Sequence, residues 1–359
     1  MTPLHLLITF ATSLIVNLAA TPAIIYVAHR NRWYDEKNHR KIHTEDVPRI
    51  GGIGIFLGFV AAAIVAGVVS THSLAGVTRI TESRPEDLIL RLLPALLGVT
   101  LIHLLGLVDD FRDLRAVLKL VIQIAAATIV ALGPWRIDQL TIPLLWYTVD
   151  LGVFAVPVTI LWIVAVSNAL NFIDGVDSLA GGNAGIATIF FAVIAFLAGE
   201  AVTGLLAVGL LGSIVGFLVF NAPPARIFMG DSGSYVLGFV LSIFPLMLNE
   251  RTGSSLNLIP AITILGIPLL DVTTSVFRRL RRGQHPFSAD REHLHHKLMD
   301  LGLETWSILG LTYGASAFLG IVAVSWYLLP PNLGTALNIG LWAVCAALMT
   351  VLSRIRGHT

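Results

Sequence analysis

Long uncharged runs of apolar residues alternate with short polar segments along almost the whole chain. A helix needs about 20 apolar residues to cross the hydrocarbon core of a bilayer, and about eleven runs approach or exceed that length. The predicted spans are residues 4–28, 50–70, 88–108, 116–133, 152–170, 181–198, 203–221, 232–249, 257–277, 305–328 and 334–353. The pattern predicts an all-α, polytopic integral membrane protein that forms one transmembrane domain over residues 1–359. Residues 134–150 are semi-polar and predict a short re-entrant or interfacial piece.

Composition supports this prediction. Of the 359 residues, 55% are hydrophobic and only 13% are charged, whereas a soluble domain carries about 25% charged residues. The net charge of +1 gives no reason to expect a nucleic-acid partner. The first apolar run lacks a basic segment before it and a convincing small-residue cleavage site, which predicts a retained helix and not a signal peptide.

Lys and Arg are unevenly divided between the two sets of loops. If loop 29–49 is cytoplasmic, 18 of the 23 basic residues fall on that side and four fall on the other. Because cytoplasmic loops are enriched in Lys and Arg, this bias predicts an external N-terminus and a cytoplasmic C-terminus. The loops near 29–49, 109–116, 171–180, 221–231 and 278–304 are then cytoplasmic, and they hold the polar motifs of the chain.

The first motif is a pair of adjacent carboxylates, Asp109 and Asp110, with Lys119 a short helical stretch later. Neighbouring carboxylates repel, so both ionise readily only near a cation or a base. Mg²⁺ prefers one or two carboxylates together with phosphate oxygens from a substrate. The pair therefore predicts a cation site for phosphate chemistry, although a solvated helix cap explains it equally well.

The second motif, residues 168–177, places Asn171, Asp174 and Asp177 directly after about twenty uncharged residues. Ionisable groups beside a bilayer are costly, so their clustering favours a functional site over a polar turn between spans. Carboxamides and carboxylates are groups that recognise hydroxyls or a nucleobase.

The third motif, residues 221–234, brings Asp231 to the start of the next span. Exposed backbone amides at such a helix start favour anions, while a plain capped helix is the alternative. Phe228 is a candidate to stack on a base, or simply a packing residue. Residues 48–52 form a weaker motif, a basic loop before a Gly-Gly helix start, which a lipid-headgroup anchor explains equally well.

The fourth motif joins Arg278–Arg282 to a loop with His293, His295 and His296. Three histidines suggest zinc, but the sequence has no HExxH pattern and no second Cys/His cluster that would complete a tetrahedral site. Contacts to phosphate or sugar are therefore the better interpretation. Asp271, near the cytoplasmic end of its span, is expected only to cap or pair, outside the predicted site.

As an ordered set, these motifs resemble those of the polyprenyl-phosphate N-acetylhexosamine-1-phosphate transferases, glycosyltransferase family 4. The resemblance runs from about residue 30 to 300 and is carried by Pro48…Gly51-Gly52, Asp109-Asp110 with Lys119, the 168–177 segment, Met229-Gly-Asp-Ser-Gly-Ser234 and Pro286-Phe…Asp290…His293-Leu-His295-His296. The His-Leu-His-His form is similar to the WecA/TagO branch, which uses UDP-GlcNAc. The MraY branch, which uses UDP-MurNAc-pentapeptide, has a contiguous histidine run.

The resemblance implies a multi-pass enzyme of the bacterial inner (plasma) membrane with its active site on the cytoplasmic face. It would transfer GlcNAc-1-phosphate from UDP-GlcNAc to undecaprenyl phosphate with Mg²⁺ or Mn²⁺ and release UMP, as the first membrane step of a cell-envelope polysaccharide pathway. A homodimer is a further expectation. An MraY-like transferase is one alternative, and a membrane transporter is another, although no repeat-related pair of broken helices is evident.

The resemblance also implies roles for individual residues. Asp231 and Asp110 would hold the metal, Asp109 would act as a base or hold the lipid phosphate, and Lys119 would bind phosphate. The remaining site residues would contact the nucleotide sugar: Asn171, Asp174 and Asp177 in the uridine pocket with Phe228 as stacking partner, and Arg282, His293, His295 and His296 at the diphosphate or sugar.

Overall fold

The computed structural model describes residues 2–34, 47–76, 85–142, 147–249, 258–281, 283 and 293–354. Its elements are α1 Pro3–Asn31, α2 Gly52–Gly76, α3 Pro85–Arg112, α4 Ala116–Ala131, β1 Gln139–Ile142, β2 Tyr147–Asp150, a 3₁₀ turn Gly152–Phe154, α5 Ala155–Phe172, α6 Leu179–Leu197, α7 Ala201–Asn221, α8 Asp231–Asn249, α9 Ile259–Ile264, α10 Gly266–Arg281, α11 Leu294–Asp300, α12 Thr305–Leu328 and α13 Pro331–Arg354.

The prediction of an all-α polytopic membrane protein is confirmed. Within the described ranges, eight helices are long and apolar enough to cross a membrane, and α4 and residues 332–345 of α13 are shorter apolar helices. The predicted span 257–277 is divided at Leu265 into α9 and α10. Pro268 explains the division, because it has no N–H to donate to the carbonyl of Ile264.

A small β-hairpin lies where the sequence predicts an interfacial piece. Strands β1 and β2 are antiparallel, with Gln139 opposite Asp150 and Ile142 opposite Tyr147. The chain before the hairpin is anchored in the bundle, because the backbone N–H of Ile137 donates to Thr159 Oγ1 at 2.9 Å. The hairpin is the part of the described chain that departs from an all-helical structure.

Helix α8 is the centre of the bundle. Every residue from Asp231 to Leu248 is buried, and α8 packs against α2, α3, α5, α6 and α7. Helices in lipid associate through close packing and interhelical hydrogen bonds between small polar residues. The α1–α7 contact shows this, because Asn17 donates from Nδ2 to Ser213 Oγ at 3.2 Å, and both residues are buried.

The polar loops meet at one end of this bundle. Helices α3 and α5 end where α8 begins, and the segment before α2 runs beside the segment before α8. Gly51 N–H donates to the Phe228 carbonyl at 2.9 Å, Gly52 N–H donates to the Met229 carbonyl at 2.8 Å, and Phe228 N–H donates to the Pro48 carbonyl at 2.8 Å. This backbone pairing carries the side chain of residue 49 to the first turn of α8.

Candidate active site

The N-terminus of α8 is capped by a carboxylate from another helix. Asp110, at the end of α3, accepts the backbone N–H of Asp231 at 2.7 Å through Oδ1 and that of Ser232 at 3.1 Å through Oδ2. Its side chain is fully buried. The first N–H groups of a helix have no partner within it, so Asp110 satisfies two of them. The expectation that these amides are exposed to bind an anion is therefore wrong for residues 231 and 232.

Lys119 bridges two carboxylates. Its ammonium group contacts Asp109 Oδ2 and lies 3.4 Å from Asp231 Oδ2. The other oxygen of Asp109 accepts the Leu114 N–H at 2.7 Å, which ends α3. Both aspartates are buried, while the Lys119 side chain is 21% exposed. The charged end of Lys119 is thus held in place at an accessible edge of the cluster.

Arg49 supplies a second cation that the sequence analysis did not select. One guanidinium nitrogen lies 2.9 Å from Asp231 Oδ1, and Nε lies 3.7 Å from Asp110 Oδ1. Burial alone would lower the pKa of Arg49, but the carboxylates of Asp231 and Asp110 raise it above its usual value. The side chain remains 43% exposed, so it has room to contact an anionic substrate as well.

Asn171 also belongs to this centre, and the uridine contact expected of it stays a prediction. Its Nδ2 donates to Asp231 Oδ1 at 3.1 Å and to Ser234 Oγ at 2.9 Å. The carboxylate of Asp231 is thereby held from three sides, by Arg49, Lys119 and Asn171. Such a network fixes the direction of the carboxylate before a substrate arrives.

Asp174 and Asp177 lie in the turn between α5 and α6, next to this centre. Burial raises the pKa of Asp174 to about 7, Arg49 opposes the shift, and the carboxylates of Asp231 and Asp110 add to it. Asp177 is buried and accepts the Ala225 N–H at 3.0 Å, which ties the turn to the loop before α8.

Phe228 is half-buried in that same loop. Its backbone is fixed by the pairing with residues 48 and 51. The uridine contacts expected of Asp174, Asp177 and Phe228 stay predictions.

The histidine motif is anchored on both sides. His293 Nδ1 lies 2.8 Å from Asp271 Oδ2, and Asp271 Oδ1 accepts the Leu294 N–H at 2.7 Å. Asp271 was placed outside the predicted site, and the structure instead connects it directly to the first histidine of the motif.

His295 is packed against Gly175. A Cβ atom on Gly175 would lie 2.5 Å from His295 Nε2, so this contact requires glycine. Burial and the neighbouring His296 lower the pKa of His295 to about 4, which keeps the ring neutral at physiological pH. Its buried Nε2 has no hydrogen-bond partner among the described residues.

His296 is half-buried, and its ring centroid lies 4.3 Å from that of His295. Arg282, the remaining predicted contact for the diphosphate or sugar, lies outside the described residues.

Comparisons with known proteins indicate the family of this chain. The family model described as glycosyl transferase family 4 matches residues 92–249. The chain is 33% identical over 300 residues, 84% of its length and 79% of the relative's, to a protein of Bacillus subtilis (strain 168) named probable undecaprenyl-phosphate N-acetylglucosaminyl 1-phosphate transferase. The chain belongs to glycosyl transferase family 4.

Two further relatives of the family cover similar shares. An undecaprenyl-phosphate alpha-N-acetylglucosaminyl 1-phosphate transferase of Yersinia pestis is 27% identical over 89% of this chain and 84% of its own. A decaprenyl-phosphate N-acetylglucosaminephosphotransferase of Mycobacterium leprae (strain TN) is 30% identical over 87% of this chain and 80% of its own. The resemblance stated from the motifs is therefore confirmed at the level of the family.

The part that the family model matches holds the acidic centre but not all of the site. Asp109, Lys119, Asn171 and Asp231 lie within residues 92–249, whereas Arg49 and the histidine motif lie outside them. Arg49 was missed because its only sequence signal is a basic residue two positions before a Gly-Gly pair. Its role depends on backbone pairing with a segment about 180 residues later, and a local pattern does not show that pairing.

The carboxylates of this centre are candidate ligands for a magnesium ion. Asp109, Asp110 and Asp231 outnumber the cations Arg49 and Lys119 that pair with them, so a divalent ion would offset the excess negative charge. No group of three metal-ligating side chains converges within the described ranges. Mg²⁺ commonly uses one or two carboxylates and takes water and phosphate oxygens as its other ligands.

The resemblance names Asp231 and Asp110 as ligands. Both oxygens of Asp110 accept backbone N–H groups, and Asp109 accepts the Leu114 N–H through Oδ1 while its Oδ2 contacts Lys119. The Oδ2 atoms of Asp109 and Asp231 face the same ammonium group. The assignment of the metal to Asp231 and Asp110 stays a prediction.

Proposed function

We propose that this protein transfers GlcNAc-1-phosphate from UDP-GlcNAc to undecaprenyl phosphate, giving undecaprenyl-diphospho-GlcNAc and UMP. The observation that carries the proposal is the pair Asp109 and Asp231, bridged by Lys119 at one end of an apolar helix bundle. A lipid phosphate reaches such a site from the bilayer, and a nucleotide sugar reaches it from water. The names of the relatives, which specify N-acetylglucosamine phosphate transfer to a polyprenyl phosphate, support the proposal.

The reaction exchanges one phosphoanhydride bond for another. An oxygen of the lipid phosphate attacks the β-phosphorus of UDP-GlcNAc, and the bond from that phosphorus to the oxygen bridging to the α-phosphate breaks. The bridging oxygen leaves with UMP, and GlcNAc stays on the transferred phosphate. Negative charge gathers on three phosphates in the transition state, and fixed cationic groups at that position supply the largest stabilisation.

Lys119 and Arg49 are the cations that perform this role. Both are already oriented by carboxylates, so little reorganisation is needed when the substrate binds. Asp109 positions the Lys119 ammonium group and would accept the proton of a singly protonated lipid phosphate. When bound, Mg²⁺ would be held by Asp231 together with a carboxylate of the Asp109–Asp110 pair and would neutralise phosphate charge.

The other predicted contacts surround this centre. In the proposal, Asp174, Asp177 and Phe228 serve the uridine end of the nucleotide, and Asn171 orients Asp231. The histidine motif and Arg282 serve the diphosphate or the sugar. The site would lie on the cytoplasmic face of the bacterial inner membrane, where nucleotide sugars are found, and homodimerisation stays a prediction.

The test uses UDP-GlcNAc labelled in two places. Membranes containing the protein receive substrate with ³²P at the β-phosphate and ³H in the sugar, with added undecaprenyl phosphate. The proposal requires both labels in the extractable lipid at a one-to-one ratio, together with UMP. Tritium alone in the lipid indicates transfer of the sugar without its phosphate, and label retained inside sealed vesicles indicates a transporter.

A second arm of the same test addresses substrate choice. Equal concentrations of UDP-GlcNAc and UDP-MurNAc-pentapeptide are compared, and only UDP-GlcNAc is expected to be consumed. A site that hydrogen-bonds the hydroxyl and acetamide groups of its sugar rejects a mismatched one strongly, because buried groups are left unpaired. Similar rates with both nucleotide sugars would exclude the WecA/TagO-like assignment while leaving family membership unaffected.

A further inference from the structure

Asp271 is a buried carboxylate in α10 that contacts the histidine motif. It is 2% exposed, and each oxygen accepts one hydrogen bond. Oδ1 accepts the backbone N–H of Leu294 at 2.7 Å, and Oδ2 lies 2.8 Å from His293 Nδ1. A buried carboxylate is costly unless both oxygens are paired, and here one pairs with the start of α11 and the other with an imidazole.

The imidazole of His293 is held on its faces as well as at this edge. Phe172 stacks on it with ring centroids 5.8 Å apart and an interplanar angle of 23°, and His295 lies parallel at 5.9 Å. The hydrogen bond to Asp271 uses Nδ1, so Nε2 is the ring nitrogen left for a substrate. Phe172 directly follows Asn171, whose side chain donates to Asp231. The His293 ring that Phe172 contacts therefore lies near the acidic centre.

A carboxylate that pairs with one imidazole nitrogen fixes the orientation of the ring and directs the other nitrogen away from the carboxylate. Capping a short helix would need only one of the Asp271 oxygens, and the second is committed to His293. We propose that Asp271 is a positioning residue that fixes the His293 imidazole so that its Nε2 edge faces the diphosphate of the nucleotide sugar. This inference rests on the proposed function, because the diphosphate is the group that His293 would contact.

The decisive experiment is a double-mutant cycle on the full-length protein with UDP-GlcNAc and undecaprenyl phosphate. In Asp271→Asn, the side-chain amide offers one acceptor oxygen to two partners, the Leu294 N–H and the His293 imidazole. Either one of these hydrogen bonds is lost, or the imidazole adopts the other tautomer. We expect kcat/KM to fall about ten- to a hundredfold, the effect of losing a hydrogen bond to a charged group. UMP affinity should stay within about twofold, because UMP lacks the transferred phosphate.

The double-mutant cycle distinguishes an effect of Asp271 that acts through His293 from a general loss of structure. In a His293→Ala background, Asp271→Asn should cause no further loss, because its target is gone. Losses that multiply in the double variant would overturn the proposal. Asp138→Asn is the matched control, since Asp138 is exposed and pairs with Arg136 at the hairpin, and it should keep full activity.

A second pair of variants keeps the proposal testable if Asp271→Asn does not fold. His293→Gln places an amide near the position of Nε2 but gives up the bond to Asp271, and His293→Asn keeps a donor to Asp271 but has nothing at Nε2. Both variants should lose activity if the side chain at position 293 must bond to Asp271 and reach the substrate at the same time. Near wild-type activity in His293→Gln would refute the link. If the unmodified protein labels no lipid, the proposed function fails and this proposal fails with it. If the protein is active but the losses of the two single variants multiply in the double variant, only the role of Asp271 is refuted.

Discussion

Asp110 caps the helix that Asp231 begins, with Asp110 Oδ1 2.7 Å from the backbone nitrogen of Asp231. The two residues are 121 positions apart in the sequence. Asp109, the neighbour of Asp110, instead shares Lys119 with the carboxylate of Asp231. Two adjacent aspartates therefore have different tasks, one holding the backbone of α8 and the other facing its first side chain.

The first prediction separates these two tasks. Asp110→Asn should lower the free energy of unfolding by about 1 kcal/mol, the usual cost of losing a helix cap, because an amide has one acceptor oxygen for two N–H groups. The measurement is thermal unfolding of the purified protein in detergent. Asp138→Asn, at an exposed residue of the segment before the hairpin, is the control and should unfold close to the wild-type temperature. An unchanged unfolding temperature in Asp110→Asn, with activity lost, would show that Asp110 acts in the chemistry.

The second prediction concerns the metal. Excess EDTA should abolish lipid labelling and added Mg²⁺ should restore it, because the carboxylates of the centre outnumber its cations. Asp231→Asn should reduce turnover more than tenfold, as expected when one group that stabilises charge is removed, and should require more Mg²⁺ for half-maximal activity. Full turnover in EDTA would refute the metal proposal.

The third prediction is a dependence of stability on pH that comes from Asp174. Its pKa is raised from 3.8 to about 7, so the folded protein holds a proton that the unfolded chain has released between these values. Stability therefore falls as pH rises from about 4 to about 7. Asp174→Asn should remove part of this fall. Unfolding temperatures measured at pH 5 and pH 8 without divalent ions test this, and equal pH slopes in variant and wild type would contradict it.

The sequence predicts the parts of this molecule that depend on local composition. Within the described residues, the predicted spans overlap helices, and span 257–277 overlaps two of them, because an apolar run in lipid must satisfy its own backbone. The break at Leu265 was missed although Pro268 marks it, since hydropathy alone does not register a lost N–H. The meeting of Asp109, Lys119 and Asp231 was also predictable, because charged groups at one end of a bundle have few other places to lie.

Roles that depend on distant partners could not be predicted in this way. Arg49 looks like a headgroup anchor until residues 48–52 are seen beside residues 228–229. Asp271 looks like an ordinary cap until α11 brings His293 to it. In both cases the deciding contact joins segments that no sequence spacing connects.

The fourth prediction concerns topology, which the uneven distribution of Lys and Arg assigns. Cys345 is the one cysteine of the sequence, so the background for labelling is Cys345→Ser. In this background, Asp300→Cys in α11 should react with a membrane-impermeant maleimide only after permeabilisation. Tyr147→Cys in the hairpin should react in intact cells, because Tyr147 is 63% exposed and lies on the predicted outer side. The opposite labelling pattern would invert the orientation and place the acidic centre away from the nucleotide-sugar pool.

The fifth prediction tests the contact between the histidine motif and the turn after α5. His295→Ala should reduce UDP-GlcNAc turnover strongly and UMP affinity only weakly, if the motif serves the sugar-phosphate end of the substrate. Gly175→Ala should have a similar effect, because its new Cβ would lie 2.5 Å from His295 Nε2 and 2.8 Å from Cε1. The ring has little room to move, since His293 and His296 lie against it with centroids 5.9 and 4.3 Å away.

The double variant decides whether the steric contact is the cause. Removing the His295 ring leaves open space where the methyl group introduced by Gly175→Ala would clash, so Gly175→Ala combined with His295→Ala should be no slower than His295→Ala alone. Steady-state turnover of UDP-GlcNAc and competition by UMP are measured for all four proteins. If the double variant is slower than either single variant, Gly175 serves the substrate through its own backbone, and the packing of His295 is not what requires glycine at this position.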